Sequence, residues 1–111
     1  MSSEENRRFE RVNLHTALRY QVRGTSDFDN AVSENISEGG LAFSSSKFIP
    51  PATPVMLEVS LLSKILHPIG RVSWCQPLPH SDMNRLGVEF LEFDASEKKH
   101  LIRLAFLSVL S

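Results

Sequence analysis

The sequence predicts a six-stranded antiparallel β-barrel with a C-terminal α-helix. Three observations point there. Apolar and polar residues alternate with period two in several separate runs, the mark of half-buried strands. Gly, Pro, Asn and Asp clusters punctuate those runs at short spacing, as in all-β folds. After residue 93 the period changes to a helical one and stays helical to the end. At 111 residues the chain bounds one domain with a single modest core. Closure into a barrel also removes the aggregation-prone edges of an open sheet.

The elements follow in order. Residues 1–11 read as a flexible, polar arm with one aromatic, Phe9. Val12, Leu14, Thr16, Leu18, Tyr20 and Val22 then alternate with polar or charged neighbours and predict one long strand. A turn follows at 24–27 and 29–30, with a short second strand over 31–36. Asn35-Ile36-Ser37-Glu38-Gly39-Gly40 breaks it; short polar side chains bond local backbone, and adjacent glycines can take positive φ. Leu41-Ala42-Phe43-Ser44 resumes the sheet, and Pro50, Pro51 and Pro54 stop pairing in the loop beyond.

Val55, Leu57, Val59 and Leu61 predict the next strand, with Ser63-Lys64 as a tight connection to its hairpin partner over 65–75. Pro68 argues for an edge or bulge there, and Gly70 for a bend. After a Pro-rich loop, Leu86-Gly87-Val88-Glu89-Phe90 forms the last strand, so that the barrel covers 12–93. Asp94-Ala95-Ser96-Glu97 has the spacing of a capping box, led here by Asp, and opens a helix in 94–111. Leu101, Ala105, Ser108 and Val109 share one face, but Ile102, Leu104, Phe106, Leu107 and Leu110 spread apolar surface around most of the helix. Two readings stand: the helix plugs a barrel end, or it also meets a partner subunit, such as a second copy of the chain.

Charge narrows the function. The formal net charge is −1, which gives no bulk affinity for nucleic acid. It is unevenly spread: in residues 1–24, Arg7, Arg8, Arg11, Arg19 and Arg23 oppose Glu4, Glu5 and Glu10, leaving +2 there and −3 elsewhere. A basic entrance on a mildly acidic body favours a small anion over a long polyanion. One cysteine, Cys75, excludes an internal disulfide and fits a reducing cytoplasm. The acidic, polar N-terminus is unlike a signal peptide, and no run has the length of a membrane span. His15, His67, His80 and His100 lack metal-ligand spacing. His80-Ser81-Asp82 carries the letters of a hydrolase triad, but such a triad is defined in space and not by adjacency. No dinucleotide or Walker-type glycine loop occurs, so no enzyme, cofactor or metal centre is expected.

Arg7-x-x-x-Arg11, Asn35-x-Ser37-x-x-Gly40, Gly70-Arg71-Val72-Ser73-Trp74 and Leu86-Gly87-Val88-Glu89-Phe90, in this order, resemble the PilZ domain family over about residues 5–107. The resemblance implies a six-stranded barrel with a C-terminal helix that binds cyclic di-GMP and acts as a bacterial cytoplasmic receptor or adaptor, not as a catalyst. It assigns the ligand to Arg7, Arg8, Arg11, Asn35, Ser37, Gly39, Gly40 and Trp74. Guanidinium forks suit phosphate oxygens or the guanine O6/N7 edge, and they also stack on bases. Asn35 stands where the family has Asp or Asn, and it offers a guanine edge an amide without charge. Asn6, before the first arginine, lies where the family sets one nucleotide or a stacked pair. Trp74 is either a core residue or a platform for guanine. Some domains of this family do not bind nucleotide, so a pure protein-interaction module is the alternative. In either case a downstream protein partner is implied.

Overall fold

The computed structural model describes residues 11–110, with backbone alone at 105, 106 and 108–110. Among these residues seven strands and one helix follow one another: β1 Ala17–Val22, β2 Asp29–Ser37, β3 Gly40–Ser45, β4 Pro54–Leu61, β5 Lys64–Leu66, β6 Ile69–Pro77, β7 Asn84–Glu92 and α1 Ala95–Leu110. All pairings are antiparallel. The sheet runs β1-β2-β3-β7-β6-β4, and β1 also pairs with β4, which closes a six-stranded barrel with β5 outside the ring.

The seventh strand is the hairpin partner expected over 65–75, cut in two. Val59 pairs with Leu66 and Met56 with Ile69, so β5 and β6 keep one register along β4. Pro68 has no N–H to give and interrupts the ladder. Its carbonyl still accepts from Leu57 N–H at 3.1 Å, so the line of the strand survives the break.

β4 shows why alternation forms this barrel. Val55, Leu57, Val59 and Leu61 are buried, whereas Met56 between them is half exposed. Tyr20 and Phe43 pack at 4.8 Å between ring centroids, and the Tyr20 hydroxyl shares a 2.7 Å hydrogen bond with Ser45 Oγ. That bond lets a polar tip sit in the core without a desolvation penalty. Leu101 of α1 is 1% exposed and belongs to the same core. Burying such a side chain contributes about 1.5–3 kcal/mol, enough to seat the helix on the barrel end. Leu104 packs beside it, while Ile102 and Leu107 remain exposed.

The first strand is shorter than expected. Val12 keeps a two-way backbone bridge to Ile36, 3.0 Å each way, but regular pairing with β2 begins only at Ala17. The residues between bulge, and buried Ser33 fills the gap. Its Oγ donates to Leu14 O and accepts from Thr16 N–H. Backbone groups that the ladder leaves unpaired are thus satisfied by one side chain.

The helix cap also departs from expectation in one half. The Asp94 carboxylate accepts from Ser96 N–H at 3.1 Å and Glu97 N–H at 3.2 Å, a working N-cap. The Ser96 hydroxyl also donates to this carboxylate, and that bond first, with the backbone ones, holds the carboxyl below the ordinary carboxylate range. Glu97 does not reach back to the cap. It accepts from His67 N–H at 2.8 Å and contacts His67 Nδ1 at 3.2 Å, at the break before Pro68. A backbone donor stranded by the interrupted ladder outcompetes the local box.

Candidate ligand-binding site

The β2–β3 hairpin turns on two residues, Glu38 and Gly39, because Ser37 pairs with Gly40. The Ser37 hydroxyl accepts from Gly39 N–H at 3.1 Å and lies 3.4 Å from Gly40 O. Gly39 O accepts from Phe90 N–H at 2.9 Å, which pins the turn to β7. Neither glycine takes positive φ; among the glycines only Gly24 does, at 91°. Gly40 is required for another reason. A β-carbon there would lie 2.2 Å from Val88 O, so β3 and β7 approach too closely for any side chain.

The N-terminal segment meets this hairpin. The Val12–Ile36 bridge sets Arg11 beside Ser37, and Arg11 Nη1 donates to Asn35 Oδ1 at 2.6 Å. A guanidinium has donors only, so it holds the amide oxygen of Asn35 and turns the amide N–H₂ away from itself. Two motifs that lie 24 residues apart in the chain therefore touch. Arg7 and Arg8 lie outside the described residues.

Arg11, Ser37, Glu38 and Gly39 form one side of an open cavity of about 400 Å³. Ser73 and Trp74 of β6, residues 87–90 of β7, and Lys98 of α1 form the rest. Gly40 is buried behind it in β3. Arg11 and Lys98 bring positive charge to the walls, Glu38 and Glu89 negative. Glu89 is paired with Arg71 at 3.0 Å.

Trp74 lies on the outer face because of a bulge. Pairing of β6 with β7 shifts between Val72 and Trp74, so Ser73 is an extra residue and the in–out order reverses beyond it. Val72 points into the core, Cys75 packs against it, and Trp74 between them is half-buried on the cavity wall. The indole lies against Gly87, where a β-carbon would come within 2.4 Å of Nε1. Arg85 sits 5.4 Å from the ring centroid and is held by Glu34.

Sequence reasoning missed Glu38, Arg85 and Lys98. Arg85 and Lys98 stand in runs with no motif signature, and only folding carries Lys98 to this wall and Arg85 over the Trp74 ring. Among the described residues no cluster of His, Cys, Asp and Glu is arranged to hold a metal ion, and no helix is long and apolar enough to cross a membrane.

Residues 5–107 match the PilZ domain family. No curated protein sequence matches the chain. Among solved structures, the Bacillus subtilis inhibitor of motility MotI (DgrA) superposes with a TM-score of 0.82 at 18% identity, over 94% of this chain and 51% of that one. The PilZ domain of Escherichia coli YcgR with c-di-GMP follows the same fold, with a TM-score of 0.71 at 15% identity over 94% and 92% of the two chains. The K. pneumonia MrkH–c-di-GMP complex has a TM-score of 0.70 at 15% identity over 94% and 52%. The chain thus spans about half the length of the MotI and MrkH chains. A family match across nearly the whole length, on a closed barrel whose Asn35–Gly40 hairpin receives an arginine from the N-terminal segment, establishes that this chain belongs to the PilZ domain family.

Proposed function

We propose that this domain is a cyclic di-GMP receptor that signals to a partner protein in a bacterial cytoplasm. The observation that carries the reading is the Arg11–Asn35 contact at the edge of the cavity faced by Trp74. Cyclic di-GMP combines two phosphates with two guanines. Arg11 provides a fork for phosphate or a guanine edge. Arg7 and Arg8, a few residues upstream, supply further forks when the segment before Arg11 folds over the ligand. Asn35 offers its amide N–H₂ and a second lone pair on Oδ1 to a guanine edge. Ser37, Gly39 and Gly40 hold the hairpin in shape, and Gly39 leaves room for close approach. Trp74 stacks on a guanine. Two of the similar structures were solved with this nucleotide, which supports the choice of ligand. The reading needs no catalytic step and no cofactor.

Isothermal titration with cyclic di-GMP tests it. Each charge-assisted bond lost costs roughly 1.5–3 kcal/mol, so Arg11→Ala weakens binding about ten- to 150-fold while the barrel still melts cooperatively. Unchanged affinity in Arg11→Ala and in Arg7→Ala overturns the site.

One observation favours a second reading. Ile102 and Leu107 stay exposed on α1, at 42% and 54%, which suits an interaction module that works through its helix, including self-association. The absence of both titration heat and a melting shift with cyclic di-GMP selects this alternative.

A further inference from the structure

We propose that Lys98 brings α1 into contact with the ligand, so that nucleotide binding and docking of the helix on the barrel are coupled. This rests on the cyclic di-GMP reading of the cavity. Nothing in the sequence motifs marks Lys98, which stands one residue beyond the cap signature. The fold carries it to the wall that Arg11 and the 37–39 turn also line.

Three observations support the assignment. First, the start of α1 is held in place from two sides, by Asp94 at its cap and by Glu97 on His67. Lys98 is the next residue, and its backbone N–H closes the first turn onto Asp94 O at 2.8 Å. Its stem therefore leaves from a located point. Second, Lys98 forms no ion pair among the described residues, although Glu38 and Glu89 line the same cavity; the five ion pairs among those residues are made by other groups, Glu89 with Arg71 among them. A partly buried lysine with no carboxylate partner among the described residues gains by meeting an anion. Third, the ligand carries two phosphates, while the barrel hairpin itself contributes only Glu38 as a charged side chain to the wall. A cation from the helix complements the one from the N-terminal segment.

Coupling follows from linkage. If the bound phosphate is held partly by α1, ligand favours the docked helix by the same factor that docking favours ligand. The helix also carries the exposed Ile102 and Leu107, so its position is what a partner protein would sense.

The test is titration of cyclic di-GMP into the full chain and its Lys98→Ala, Lys98→Gln and Lys99→Ala variants at two salt concentrations, with amide exchange of α1 followed with and without nucleotide. Lys99 is exposed and does not line the cavity, so it serves as the control. The expected result is a loss of roughly tenfold in affinity for both Lys98 variants, with a shallower salt dependence, and no change for Lys99→Ala. Nucleotide should raise the protection of α1 amides in the parent chain and fail to do so in Lys98→Gln. Affinity within twofold of the parent in both Lys98 variants, alongside a weakened Arg11→Ala, overturns this inference and leaves the receptor reading standing. If the parent chain gives no heat, both fall.

Discussion

Replacing Gly87 with alanine should detach Trp74 from the cavity wall. The new β-carbon would lie 2.4 Å from Nε1, 2.6 Å from Cε2 and 3.0 Å from Cζ2 of the indole. Carbon contacts settle near 3.5–4.0 Å, so the ring has to retreat by about 1 Å or more. It cannot sink, because the backbone of β7 lies beneath it. Either β6 and β7 separate or the ring swings outward. Forced overpacking costs typically 1–3 kcal/mol, and at this chain length that lowers the melting temperature by at least about 4 °C. Trp74 is the only tryptophan, so its emission reports the ring directly. The expected result is a red shift toward solvent-exposed indole. If Trp74 stacks on guanine as proposed, cyclic di-GMP should bind about five- to 150-fold more weakly, the equivalent of roughly 1–3 kcal/mol per stacked base. Gly40→Ala is the internal comparison. There the β-carbon meets Val88 O at 2.2 Å, a backbone atom that no rotamer can move, so β3 has to leave β7. Its cost should reach about 3 kcal/mol or more. An unshifted emission maximum with unchanged affinity in Gly87→Ala refutes the geometry, as does a larger stability loss at Gly87 than at Gly40.

Two further outcomes follow. Ser33→Ala removes the hydroxyl that serves Leu14 O and Thr16 N–H, and stranding both groups should cost about 1–3 kcal/mol in denaturant unfolding. Because that stretch leads back to Val12 and Arg11, nucleotide affinity should fall as well, although Ser33 does not line the cavity. Asp94 is bonded best as a carboxylate, so its folded value lies below the unfolded one near 3.9. Its contribution to the helix start is complete above the unfolded value and is lost as pH falls through the folded one. Exchange protection of the first-turn amides of α1 should therefore decline below about pH 4, and Asp94→Asn, which keeps a capping oxygen but does not titrate there, should flatten that profile.

Much of the barrel was legible because its causes are local. Alternation over 55–61 and 86–90 needs only a half-buried strand, and Pro68 reports its missing N–H wherever it stands. Asp94 caps α1 as its spacing predicts. The meeting of Arg11 with Asn35 was legible only through the family resemblance, since nothing periodic links residues that far apart.

The amino-acid order by itself determined the strand and helix periods, the turns, the family and the candidate ligand residues. Tertiary structure alone decided which way several of those residues face and what they touch. The bulge at Ser73 reverses the in–out order, so period two could not say whether Trp74 belonged to the core or the wall. Gly40 is a glycine because β7 runs against it, not because the turn demands positive φ. Glu97 leaves its capping box for a donor at His67, 30 positions earlier, and Lys98 reaches a cavity built from four other segments of the chain. Each depends on a partner brought near only by closing the barrel, and a one-residue slip or a stranded N–H outweighs the local preferences that a sequence displays.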